Sequence, residues 1–364
     1  MSARRREPGR ARGFAAALAL LFGLCGLPPC ASAAATGLQR DVVFSDYAPL
    51  SRSSELVRRT FSPLAALRLQ AALARLGRSV REQSIELANE RFVVYVPTAA
   101  PPPGGYALLV FIPPWPQAEV PEGWPAVLER HDTIFVSAAN SGNDASVVDR
   151  REPLALLAAY NLMRRYPVDP QRVFVGGFSG GSRVALRLAL AYPDLFRGAL
   201  LDAGSDPIGT AEIPLPPADL FRQFRDATQL VYLTGTNDTV HLAQDARSRQ
   251  SMQDWCVARV DTASIPFTAH AVAPAIALNR ALQTLLEARA PPSDERLAAC
   301  RQRVERELSA QLQRVQARLD GGDAASARTL LERVDARYGG LAAPRSAALL
   351  RAIDAKPQGG GSSH

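Results

Sequence analysis

"RVFVGGFSGGSRVALRLALAYPDLFRG", residues 172–198, decides the fold. Its first five residues, 172–176, centre on the apolar run Val173-Phe174-Val175 and read as a buried strand. Residues 181–192 carry Leu and Ala at helical spacing. Between them Gly177-Phe178-Ser179-Gly180-Gly181 matches the pattern G-x-S-x-G. A serine at the tip of a sharp strand-to-helix turn has strained dihedrals, and the residues two before and two after it crowd each other. Both must lack bulk, so Gly177 and Gly181 are the elbow glycines. The turn lifts the Ser179 hydroxyl above the sheet. It also sets the Gly180 N–H at a helix start, where it can donate to a developing oxyanion with help from the helix dipole. The competing reading is a glycine-eased corner in which Ser179 is only small.

Outward from this stretch, strands alternate with helices. Residues 91–97, 106–112, 133–138, 198–203 and 229–235 read as strands, and 106–112 is apolar throughout, as for a strand buried on both faces. Residues 152–165 read as a helix opened by Glu152-Pro153, and 240–257 and 272–290 are helix-like. Residues 34–52 read as an irregular lead-in and 53–77 as a helical stretch ending at Gly77. The alternation predicts an α/β fold: a mostly parallel sheet with helices on both faces. Active residues in such sheets lie beyond the carboxyl ends of the strands.

A serine hydroxyl needs a base, and the base needs an orienting acid. Of four histidines, His364 is in the tail and His131 precedes a strand. His270 follows a short apolar run and precedes a helix, which suits a base that reaches over Ser179; His241 is the rival. Asp238 follows the apolar strand 229–235 and a glycine turn. A loop carboxylate there can reach an imidazole, or can simply bond its own backbone. Asp202 and Asp206 are alternative acids. The chain order Ser179, Asp238, His270 is the order of α/β-hydrolases.

Residues 91 to 290 resemble the α/β-hydrolase superfamily. "VDPQRVFVGGFSGGSRVA", "AYPDLFRGAL", "TGTND" and "FTAH" are similar to secreted bacterial esterases of the polyhydroxybutyrate depolymerase and feruloyl esterase type. The resemblance implies a Ser179–His270–Asp238 triad, an acyl-enzyme, a small-molecule or polymeric ester substrate and no cofactor. The sequence departs from the family after strand 106–112, where Pro113-Pro114-Trp115-Pro116 replaces the usual His-Gly. The second oxyanion donor then falls on the N–H of Trp115, in a loop that two prolines shape differently. Trp115 could instead wall the acyl pocket, to which 204–228 would contribute, while Trp124 and Trp255 suit core or rim. There is no metal-ligand spacing, phosphate loop or dinucleotide fingerprint, so no metal or cofactor site is expected.

The chain has 364 residues and a formal charge of +7. Its first 33 residues hold five Arg and one Glu; the remainder carries 37 basic and 34 acidic residues, a balance too mild for a nucleic-acid partner. Residues 1–33 have a basic start, an apolar run and an Ala31-Ser32-Ala33 site, the build of a cleaved signal peptide. The expectation is export to the periplasm or medium with no stable membrane anchor after cleavage. An uncleaved anchor is the alternative, but the apolar run is short for a span. Cleavage would remove Cys25 and Cys30 and leave Cys256 and Cys300, either paired or as two buried thiols.

The expected organisation is a signal peptide at 1–33, a lead-in with helices at 34–90, the hydrolase domain at 91–290, a helical hairpin appendage at 294–355 and a disordered tail at 356–364. The main expectation is an exported serine esterase. The alternatives are a peptidase on the same triad, and a non-catalytic hydrolase-fold scaffold that binds a protein partner through the C-terminal helices.

Overall fold

The structure, a computed structural model, describes residues 35–287 and 295–356. The expected signal peptide and the tail beyond Lys356 lie outside the described residues. Eight strands form one sheet: β1 (Gly37–Val42), β2 (Phe92–Val96), β3 (Tyr106–Ile112), β4 (Thr133–Ala138), β5 (Val168–Phe178), β6 (Gly198–Asp202), β7 (Gln229–Gly235) and β8 (Val260–Ile265). Their order is β1-β2-β4-β3-β5-β6-β7-β8. β2 runs antiparallel to both β1 and β4, and the remaining neighbours are parallel.

The period of two along each strand divides its side chains between two cores. Leu109, Phe135, Phe174, Leu200 and Val231 face one; Leu108, Val136, Val175, Leu201 and Tyr232 face the other. Trp124 and Leu128 of α3 (Trp124–Arg130) cover the first face, with Leu278 and Leu282 of α8 (Ala275–Leu286). The second is covered by Leu157 of α4 (Glu152–Arg165), Leu188 of α5 (Gly180–Ala191) and Phe224 of α6 (Ala218–Ala227). Each such side chain stabilises the fold by about 1.5–3 kcal/mol. α7 (Thr239–Asp254) links β7 to β8.

Two expectations from the N-terminal region are corrected. Residues 34–52 are not all irregular: β1 lies among them and pairs Leu38 with Tyr95 and Gln39 with Val94. Its Gln, Arg and Asp hide the strand signal, yet polar residues suit an exposed edge. The helical stretch 53–77 is two helices, α1 (Ser53–Thr60) and α2 (Pro63–Arg75). Pro63 cannot continue α1, and Ser62 caps α2 by accepting from the Ala65 N–H at 3.3 Å.

The C-terminal region forms three helices, α9 (Glu295–Asp320), α10 (Ala324–Tyr338) and α11 (Arg345–Asp354). They are fastened to the rest of the described unit. Asp335 accepts from Ser62 Oγ and, at 3.1 Å, from the Leu64 N–H. Arg337 lies 4.4 Å over the Trp255 ring. Cys256 and Cys300 form a disulfide that ties the chain after α7 to α9.

Candidate active site

Three strand ends and one glycine turn assemble the site. Ser179 follows β5 with φ 55° and ψ −121°, a conformation that costs a non-glycine residue about 1–3 kcal/mol. The backbone holds it there: the Ser179 N–H donates to the Asp202 carbonyl at 2.8 Å. A Cβ on Gly177 would collide with the Gly181 backbone, and one on Gly181 would collide with the Ile112 carbonyl. The two glycines therefore let the elbow close and let it sit against the end of β3. A Cβ on Gly180 would meet the Asn143 side-chain amide.

His270, in the loop after β8, brings Nε2 to 3.0 Å from Ser179 Oγ. Its Nδ1 lies 2.7 Å from Asp238 Oδ2. Asp238 follows β7, caps α7 and is 6% exposed. A carboxylate only accepts, so the His270 Nδ1 carries the proton and Nε2 faces the serine with a lone pair. Burial would raise the Asp238 carboxyl, but hydrogen bonds from His241 and His270 outweigh it and hold it below its ordinary value, in the charged form.

His241 lies on the same carboxylate, its Nδ1 2.8 Å from Asp238 Oδ1. Asp202, the alternative acid, instead accepts the Ala273 N–H at 2.8 Å, and total burial pushes its carboxyl well up. Asp206 faces Arg183 Nε at 3.7 Å.

The loop after β3 contains three prolines, which have no N–H to donate. Their carbonyls are all used. Pro113 accepts from Arg151 Nη2 at 3.0 Å, Pro114 from the Asn143 N–H at 3.0 Å and Pro116 from the Asn140 N–H at 2.6 Å. Gly142 packs on Trp115, where a Cβ would meet the carbonyl carbon at 2.8 Å. Among the described residues no turn, loop or cap bond to a backbone carbonyl takes up the Trp115 N–H. The Trp115 ring stands 6.1 Å from Phe178, centroid to centroid, while Trp124 and Trp255 are buried in the core.

A cleft of about 560 Å³ opens beside Ser179, lined by Asn143, Arg151, Arg183 and, from 204–228, Asp206 and Ile213. Arg151 is buried and donates from Nε to the Ser141 carbonyl at 2.8 Å; burial lowers its guanidinium to about 10. Sequence reasoning missed Asn143, Arg151 and the placement of His241. The segment 140–143 follows β4, where the rule for parallel sheets points. The spacing Asp238-x-x-His241 sets two side chains on one helical turn.

Asp238, His241 and His270 are the set among the described residues whose ligand atoms gather within 4.8 Å. The two imidazole rings stack at 12°, and both Nδ1 atoms lie within hydrogen-bond distance of the carboxylate.

No family model matches the chain. A curated protein of Nocardia uniformis subsp. tsuyamanensis, "Putative esterase NocK", is 35% identical over 112 residues; the match covers 30% of this chain and under a third (29%) of that protein. S-formylglutathione hydrolase (FrmB) from Staphylococcus aureus is 14% identical, covering 54% of this chain and 90% of that one, with TM-score 0.42. Est1E from Butyrivibrio proteoclasticus is 11% identical, covering 54% and 93%, with TM-score 0.40. The strand order, the antiparallel β2 and the elbow after β5 are those of the α/β-hydrolase fold, and this chain has that fold.

Proposed function

We propose that the protein is a serine hydrolase that cleaves carboxylic esters through an acyl-enzyme. The observation that carries this reading is the unbroken hydrogen-bond chain from Ser179 Oγ to His270 to Asp238, at 3.0 and 2.7 Å. Ser179 Oγ attacks the ester carbonyl as His270 Nε2 takes its proton. Asp238 stabilises the resulting imidazolium. The carbonyl oxygen becomes an oxyanion beside the Gly180 and Trp115 N–H groups, each such donor being worth about 10²–10³ in rate. His270 then returns the proton to the departing alkoxide, and an alcohol leaves. Water, deprotonated by His270, repeats the attack on the acyl-enzyme and frees the carboxylic acid.

An ester is preferred over an amide because the curated relative is named an esterase. Export is part of the proposal and rests on the pattern of residues 1–33. The test is hydrolysis of matched p-nitrophenyl esters and peptide p-nitroanilides by the wild type and by Ser179→Ala. Ester turnover that Ser179→Ala lowers at least about 10³-fold is expected. Faster release from the anilides would make the protein a peptidase, and turnover untouched by the substitution would remove Ser179 from the chemistry.

A further inference from the structure

Asp238 serves two imidazoles, and the reaction described above uses only one. His241 Nδ1 lies 2.8 Å from Asp238 Oδ1 and 2.9 Å from Oδ2. Its ring stacks on His270 with centroids 4.0 Å apart and planes at 12°. Phe178 stacks on His270 too, at 4.7 Å and 28°. The base is thus held between two rings while its Nδ1 bonds the carboxylate.

We propose that His241 is a positioning residue of the triad: its Nδ1–H pins the Asp238 carboxylate so that Oδ2 stays on His270. The kinetic consequences rest on the serine-hydrolase reading; the hydrogen bond itself does not.

A carboxylate turns about χ2 in a broad, shallow well, so its orientation must be set by its partners. Oδ2 has His270. Oδ1 has the His241 ring and one further donor, the His241 backbone N–H at 3.3 Å, a cap bond at the long end of hydrogen-bond range. Without the ring, Oδ1 would keep only that long contact, and Oδ2 would be free to swing off His270. The ring's own place is fixed. His241 sits in the first turn of α7 against Gly204, where a Cβ would strike its Cδ2. The charged and titratable groups around it are Asp238 and His270, with Asp245 one turn along α7. Gln244, also against Gly204, is held by Arg183 at 3.1 Å. The acceptor-only chemistry of Asp238 requires that both imidazoles present Nδ1–H to it.

Two substitutions separate the hydrogen bond from the stacking. His241→Asn places an amide N–H near the position of Nδ1 but has no ring. His241→Phe keeps a ring and has no donor. Geometry lost by a fraction of an ångström at a base costs between about 10- and 100-fold in rate. The expected result is that Phe lowers kcat by about that factor with KM within two-fold, while Asn restores most of kcat, in variants whose thermal midpoints match the wild type. Full kcat in the Phe variant, or equal losses in both, would overturn the proposal.

A second measurement needs neither turnover nor a variant. Ring-nitrogen spectra of wild-type protein labelled with ¹⁵N-histidine, at pH 8, should show His241 and His270 both protonated at Nδ1 and bare at Nε2. A His241 ring protonated only at Nε2 would overturn the proposal even if the enzyme proved active. If no ester is hydrolysed, the hydrolase reading fails and the spectra still decide the role of His241.

Discussion

Ser179 holds φ 55° because the residues two before and two after it have no side chains to resist: a Cβ on Gly177 would meet the Gly181 backbone, and one on Gly181 the Ile112 carbonyl. Strain at a residue that must present its hydroxyl is stored by its neighbours' sterics. A different kind of stored cost lies nearby in Asp245, buried on α7. Burial raises its carboxyl to about 6 from an ordinary 3.8, against hydrogen bonds from Thr234 and the Ser205 N–H. Between pH 4 and 6 the folded state therefore holds a proton that the unfolded state has released. Stability falls as pH rises through that window, by on the order of 2–3 kcal/mol in all. Asp245→Asn removes this dependence. The thermal midpoint of the variant minus that of the wild type should rise between pH 4 and pH 7; a constant difference would refute the assignment. At this scale Ser179 was legible from its glycine elbow, and Asp238 and His270 from their loops after apolar runs and their order in the chain. His241 was legible only as a rival base. What makes it a partner of Asp238 is a shared helical turn and a ring stack, and neither leaves a pattern in apolar periodicity.

At the scale of elements, the departure Pro113-Pro114-Trp115-Pro116 is a loop that trades donors for acceptors. Arg151 fastens it: Nη2 holds the Pro113 carbonyl and Nε holds Ser141, so the loops after β3 and β4 share one buried cation. Arg151→Met should leave the sheet intact and let Trp115 drift from the elbow. Burst kinetics should then show acylation slowed about 10²-fold, the cost of one oxyanion donor. Acylation at the wild-type rate would mean that Arg151 serves only packing. Parallel strands β3 to β7 were readable because burial on both faces leaves an almost continuous apolar run. β1 was not, since an edge strand needs no apolar face. α3 and α6 were missed because one is seven residues long and the other follows the proline-rich run Pro214-Leu215-Pro216-Pro217, which masks its start.

Across the whole molecule, the lead-in, the sheet and the C-terminal helices are joined. α2 from the lead-in bonds α10 through Ser62, Leu64 and Asp335, and Arg68 pairs with Glu332. Gly339 and Gly340 press on Leu215 and Pro216 at backbone distance, and the Cys256–Cys300 bond fixes α9 to the end of α7. The sequence marks the change of character near residue 294 but not these contacts, which are long-range. The claim that spans all of this is that one fold activates one serine. It is tested most directly by exposing the folded protein to a fluorophosphonate and mapping the adduct by peptide mass. The account predicts one phosphonyl group on Ser179 in the wild type and none in Ser179→Ala or His270→Ala. A folded wild-type protein that stays unlabelled, or an adduct on another residue that survives both substitutions, would contradict it.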